Sequence, residues 1–217
     1  MIKERHAAAM TDWRETRRQS AREAIVDAAW ELVHEEGLAA LSLRDLASRA
    51  GITTPTVYAY FDSKHAIYDA MFGRAATEFA DWIAKPLEAT EPAAVLVEKA
   101  HRFVEFCTND VARYQLLFQR TIPEFEPSVE SYAPAVRALD TARKSLALIG
   151  ITQPGQLDLW TALLTGLVDQ QISNDPGGER WTRLIEEAVI MFLAHCESTR
   201  STRKAMPRSP KSRGARS

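Results

Sequence analysis

LSLRDLASRAGITTPTVYAYF, residues Leu41 to Phe61, holds two short helical patterns separated by a glycine turn. Ser42-Leu43-Arg44-Asp45 reads as a helix start: the Ser42 hydroxyl can accept from an orphan backbone N–H, and Asp45 answers in place of the usual Glu. Leu43, Leu46, Ala47 and Ala50 recur at helical spacing and give one buried face. Gly51 supplies the permissive backbone that a sharp turn needs, and Ile52 can pin that turn into a core. Thr54 followed by Pro55 predicts an N-cap with proline in the first helical position. The second helix is predicted to run to about Phe61, with Val57 and Phe61 buried at i and i+4. Thr54, Thr56, Tyr58 and Ala59 then face outward. This is a helix-turn-helix arrangement, whose second helix enters a DNA major groove.

The flanks extend the pattern. Ala21, Ile25, Ala28, Ala29, Leu32 and Val33 form an apolar helical stripe ended by Glu36-Gly37, and Phe61-Asp62-Ser63-Lys64 leads into a helix from His65 to about Trp82. The ordered run IVDAAWELVHEEGLAALSLRDLASRAGITTPTVYAYFDSKHAIYDAMF resembles the DNA-binding domain of the TetR family of bacterial transcriptional regulators. The most specific part is Gly51 to Lys64, where TVYAYFDSK stands in place of the family's usual LYxHFxxK. Tyr60 replaces the commoner His, and Ala59 stands where many members carry a larger side chain. The resemblance implies a DNA-binding N-terminal domain, an effector pocket in the C-terminal part and a dimer formed by the last two helices. It also implies that Lys64 touches the DNA backbone.

Charge is segregated along the 217 residues. Residues 1–22 hold six Lys/Arg against three Asp/Glu, and residues 198–217 hold seven Lys/Arg and no acid. With a formal net charge of −2 for the whole chain, the middle is strongly acidic. An acidic body with basic ends fits a DNA binder that presents only part of itself to phosphate. An apolar content of 46% is ample for a core, and no run of about eighteen apolar residues could cross a membrane. Cys107 and Cys196 read as buried thiols of a cytoplasmic protein, not as a disulfide framework.

Beyond residue 90 the helical period continues and no strand pattern competes with it. Helices are predicted at Pro92 to about Thr108, at a short segment capped by Asn109-Asp110, at about Val129–Ile149 with Pro134 near its start, at about Leu157–Ser173 and at about Glu179–Glu197. The last of these places Trp181, Leu184, Ile185, Ala188, Phe192 and His195 on one stripe. Thr121 to Ser128, with two prolines, reads as a loop. The expected fold is all-α with about nine helices: a small N-terminal helix-turn-helix domain plus a larger C-terminal helical bundle. The expected divisions are a flexible basic arm at 1–20, a DNA-binding domain at 21–68, a ligand-binding and dimerisation domain at 69–197, and a basic, disordered tail at 198–217.

These patterns, together with what the resemblance implies, give a set of functional expectations. The DNA-contacting candidates are Ser42, Arg44, Thr53, Thr54, Thr56, Tyr58, Tyr60 and Lys64. A cation such as Lys64 is unfavourable in the first turn of a helix unless something negative, such as a phosphate, sits there. Candidate pocket residues are the aromatics Phe103, Phe106, Tyr114, Phe118 and Trp160. Leu164, Leu167, Val168, Leu184, Ile185, Ala188 and Phe192 are candidates for a dimer interface, because the last two helices carry more apolar surface than one core face requires. The five histidines show no metal spacing, and no Gly-rich phosphate loop, G-x-S-x-G or H-E-x-x-H occurs, so no metal, cofactor or enzymatic activity is expected. The expected function is a homodimeric regulator, a repressor released from a pseudo-palindromic double-stranded operator by a small apolar or amphipathic effector. The rival from another class is a small-molecule binding or carrier protein without specific DNA binding.

Overall fold

The computed structural model describes the backbone of residues 2–205 and the side-chain surroundings of residues 13–200; the rest of the expected basic tail lies outside the described residues. Among the described residues there are nine α-helices and no strand: α1 (Ile2–Glu36), α2 (Leu43–Arg49), α3 (Thr54–Tyr58), α4 (Lys64–Ala84), α5 (Pro92–Asn109), α6 (Val111–Phe118), α7 (Val129–Leu148), α8 (Pro154–Asn174) and α9 (Ile185–Ala205), with short 3-10 turns at Leu38–Ala40 and Thr182–Leu184. None of these helices is long and apolar enough to cross a membrane.

Two helices reach past the bounds the sequence suggests. Neither Gly nor Pro occurs between Ile2 and Glu36, and α1 runs unbroken through the stretch expected as a flexible arm. The last helix starts later than Glu179, after the 3-10 turn, and continues to Ala205. Its buried stripe also differs in one member. Ile185, Val189, Phe192 and Cys196 lie at 1%, 0%, 3% and 1% exposure, whereas His195 is exposed. The spacing of four, three and four residues from Ile185 lands on Cys196, one position beyond His195.

The chain falls into two compact units, Met1–Lys85 with Glu105–Thr141, and Pro86–Val104 with Ala142–Ser217. In the first, one core joins Ile25, Ala29, Trp30 and Val33 of α1, Leu46 of α2, Val57 and Phe61, Ile67, Met71 and Phe72 of α4, and Leu116 of α6. Each large side chain removed from water stabilises the unit by about 1.5–3 kcal/mol. This core spans the residue-68 boundary because α4 is one unbroken 21-residue helix whose buried residues extend from Ile67 to Ala80. In the second unit α8 and α9 pack together, with Trp160 and Phe192 at 5.1 Å between ring centroids.

The loop from Thr121 to Ser128 is tied to α4 by one carboxylate. Asp69 accepts from the Ser128 N–H at 2.6 Å, from the Ser128 hydroxyl at 2.9 Å and from the Ser131 hydroxyl at 2.9 Å, fixing the start of α7. Asp69→Ala frees that loop and lowers stability by about 2 kcal/mol, since hydrogen bonds to a charged acceptor exceed neutral ones. A thermal melt against the parent chain measures it; an unchanged midpoint contradicts the assignment.

Candidate nucleic-acid interface

The helix-turn-helix is set by three caps and one left-handed glycine. Ser42 caps α2 by accepting from the Asp45 N–H at 3.1 Å, and its hydroxyl donates to the Asp45 carboxylate. At the other end Gly51 takes φ +66°, the Gly51 N–H donates to Ser48 O at 3.2 Å and the Ile52 N–H to Ala47 O at 2.9 Å. That paired closure is a Schellman turn, and it swings the chain into α3. A Cβ on Gly51 would meet no atom, so the residue is needed for its backbone angle and not for space.

The cap of α3 differs from expectation by one residue. Thr53, in extended conformation, is the N-cap; its hydroxyl accepts from the Thr56 N–H at 3.3 Å and lies 2.8 Å from the Thr56 hydroxyl. Thr54 is therefore the first helical residue and Pro55 the second. The helix proper ends at Tyr58, and hydrogen-bonded turns carry the chain on: Ala59 N–H to Pro55 O at 3.2 Å, Tyr60 N–H to Val57 O at 3.0 Å, Phe61 N–H to Val57 O at 2.9 Å. Val57 and Phe61 lie in the core at 0% and 2% exposure and fix the rotation of the helix. Tyr58 is left 51% exposed, Thr53 and Ala59 are exposed, and Thr54, Thr56 and Tyr60 are half-buried.

Ser63 caps α4 by accepting from the Ala66 N–H at 3.1 Å. Lys64 follows at the positive end of that helix, with its ammonium 5.5 Å from the Tyr68 ring centroid. The ring face offsets part of the unfavourable dipole. Tyr68 donates its hydroxyl to Leu38 O, and burial pushes its phenol up to about 12. Both basic residues of α2, Arg44 and Arg49, are exposed, and Arg49 reaches back onto α1. Its guanidinium donates to Glu35 at 2.7 Å and to Glu31 at 3.5 Å, and holds the Glu35 carboxyl below its ordinary range. Arg22 likewise donates to Tyr60 O and lies 4.1 Å over the Phe61 ring. Sequence alone does not separate these internal cations from exposed ones.

The sequence pattern described as "Bacterial regulatory proteins, tetR family" matches residues 25–71, the helices and turns just described. This segment carries the TetR family's DNA-binding pattern. Over 50 residues it is 44% identical to the tetracycline repressor protein class D of Escherichia coli, a segment that is 23% of this chain and 23% of that repressor. The matches to curated relatives span from about a quarter to about half of those proteins' lengths. Solved TetR-like structures extend the likeness of fold to most of the chain. A tetR-family transcriptional regulator from Streptomyces coelicolor superposes with TM-score 0.64 at 21% identity, covering 85% of this chain and 83% of that one. The transcriptional regulator FadR from Bacillus subtilis, in complex with stearoyl-CoA, superposes with TM-score 0.63 at 17% identity, covering 79% and 97%.

The aromatic candidates for an effector pocket fall into separate groups. Phe106 and Phe118 flank Phe79 at 5.0 Å and 5.3 Å, and Tyr114 lies 5.6 Å from Phe118. Phe103 is half-buried on α5, and Trp160 packs on Phe192. A cavity of about 300 Å³ lies among α4, α6, the loop after α6 and α7. Phe118 lines it, together with Phe72, Leu116, Ile122, Phe125 and Tyr132; Phe103, Phe106, Tyr114 and Trp160 do not. The signal that could have found it is the pair Ile122 and Phe125, apolar residues inside a proline-bounded loop.

Among the dimer candidates Leu164, Val168, Ile185, Ala188 and Phe192 are buried within the protomer at 3%, 0%, 1%, 6% and 3%, while Leu167 and Leu184 are half-buried. The apolar side chains that α8 and α9 leave in solvent are Leu159 at 42%, Ile190 at 64% and Met191 at 63%.

Proposed function

We propose that this chain is a homodimeric, cytoplasmic transcriptional regulator that binds a pseudo-palindromic operator through α3 and is released from it by a small amphipathic or apolar ligand. Residues 21–68 serve as the DNA-binding domain and residues 69–197 as the ligand-binding and dimerisation domain. The observation that carries the reading is the division of α3. Val57 and Phe61 lock one side into the core, which leaves Tyr58 half-exposed on the face it shares with Thr54, and Thr56 on another. Such a face suits phosphates and thymine methyls in a major groove. Repression is the reading favoured by the likeness of this segment to a tetracycline repressor, and a cavity walled by aromatic and aliphatic side chains suits an amphipathic effector.

Sequencing the genomic DNA that the protein retains, followed by a salt titration on the selected site, tests the proposal. A steep fall of affinity with salt and a preference of at least ~10³ over random DNA are expected; equal affinity for both would overturn it. On that operator, Tyr58→Phe weakens binding roughly 3- to 10-fold, the effect of one lost hydrogen bond. Lys64→Ala lowers the salt slope by about one counterion. Unchanged binding by both variants removes these residues from the interface.

A further inference from the structure

Arg14, Arg17 and Arg18 lie on the part of α1 that precedes the helix-turn-helix, and all three are exposed. With about 100° per helical residue they share one face, which continues four residues on to Arg22. Arg22 fixes where that face points. Its guanidinium donates to Tyr60 O and lies over Phe61, joining the middle of α1 to the end of the recognition helix. The three arginines consequently stand across a groove from Thr56, Ala59 and Tyr60. The methyl side chain of Ala59 leaves that groove open.

Among the described residues the charges in this groove have no acidic partner within ion-pair distance. Arg49, Arg74, Arg102 and Arg113 each pair with a carboxylate, whereas among the described residues no acid pairs with Arg14, Arg17 or Arg18. Gln19 and Glu23, on the other side of the helix, bond to each other at 3.0 Å. Arg17 sits 5.4 Å over the exposed Trp13 ring, a contact that orients the guanidinium without neutralising it. Three unpaired cations beside the outer surface of α3 fit a linear polyanion. Arg14 and Arg18 are separated by ~6 Å along the helix, close to two nucleotide steps of one DNA strand.

We propose that this arginine face grips the phosphate backbone next to the groove that α3 enters, so that the Arg14–Arg18 segment of α1 forms a second, sequence-independent part of the DNA interface. The proposal rests on the reading of α3 as the recognition helix. It adds to the cationic contacts of Arg44 and Lys64, since Arg49 and Arg22 are engaged within the protein.

The experiment compares three full-length proteins on the selected operator and on random duplex: the parent, the triple variant Arg14→Gln/Arg17→Gln/Arg18→Gln, and the triple Arg→Lys variant. Glutamine is a good helix former and the positions are exposed, so circular dichroism and melting remain as in the parent. The Gln variant is expected to lose roughly two to three units of salt slope, with the same fold-loss of affinity on both DNAs. The Lys variant keeps most of the slope, because a point charge suffices for counterion release. A Gln variant with the parent's slope and affinity overturns the inference while leaving the α3 reading intact. Loss confined to the operator also overturns it, since base readout would then be the role of these residues. A parent protein that binds no duplex DNA overturns both.

Discussion

A chain carrying Asp at both Ile190 and Met191 is expected to sediment as a folded monomer and to bind its operator at least ~100-fold more weakly than the parent. Both side chains stand in solvent on α9, at 64% and 63% exposure, so charging them costs the protomer little. In a two-fold interface built on α8 and α9 the same positions would be enclosed, where an unpaired carboxylate costs several kcal/mol. The second half-site is then lost, and with it the 10²- to 10⁴-fold gain that comes from linking two binding modules. Phe192→Asp is expected to behave differently. Phe192 is 3% exposed and packs on Trp160, so a charge there unfolds the unit that α9 belongs to. Sedimentation and circular dichroism on both variants separate the outcomes. A parent chain that is monomeric at micromolar concentration would end the dimer proposal, and the operator geometry with it.

This contrast shows where the sequence could be read and where it could not. An apolar residue in a helix declares that it leaves water, but not which partner it meets. Leu164, Val168, Ile185 and Phe192 read as surplus for a second copy, yet all four are already buried within the protomer. The turn after α2 was legible because Gly51 and Ile52 act through local backbone bonds that need no distant partner. Even there the cap slipped by one residue, from Thr54 to Thr53, since two adjacent threonines offer the same hydroxyl and only the backbone angles choose. Cations were least legible. Arg22 and Arg49 are indistinguishable in sequence from Arg18 or Arg44, and their capture depends on Tyr60 and Glu35, 38 and 14 residues away. Of the cavity's lining only Phe118 is among the expected pocket residues, for the same reason. Its walls come from α4, α6, α7 and a proline-bounded loop, and no periodicity joins them.

That cavity gives the second large effect. A ligand seated between Phe72, Phe125 and Tyr132 is expected to weaken operator binding 5- to 150-fold, the range that a coupling of about 1–3 kcal/mol allows. Phe125 is the side chain through which the change is expected to reach DNA. It lies 6.0 Å from His65, 5.9 Å from Tyr68 and 6.5 Å from Phe72, three rings of α4, and that helix begins at Lys64 directly after the recognition segment. A second link runs through α6, which walls the cavity: its N-cap Asp110 meets His34 of α1 at 2.9 Å. A ligand that displaces Phe125 is expected to shift the rings on the first three turns of α4, and so to re-aim α3. Linkage requires that operator DNA weaken the ligand by the same factor. Phe125→Ala separates binding from coupling. The enlarged cavity still takes the ligand, while its effect on operator affinity falls below about twofold, because the ring that carried the displacement is gone. Titrating ligand against operator for both proteins measures the two quantities independently. A Phe125→Ala protein with the parent's full coupling would assign transmission to the His34–Asp110 contact instead, and a ligand that tightens operator binding would make DNA binding ligand-dependent and refute the release mechanism.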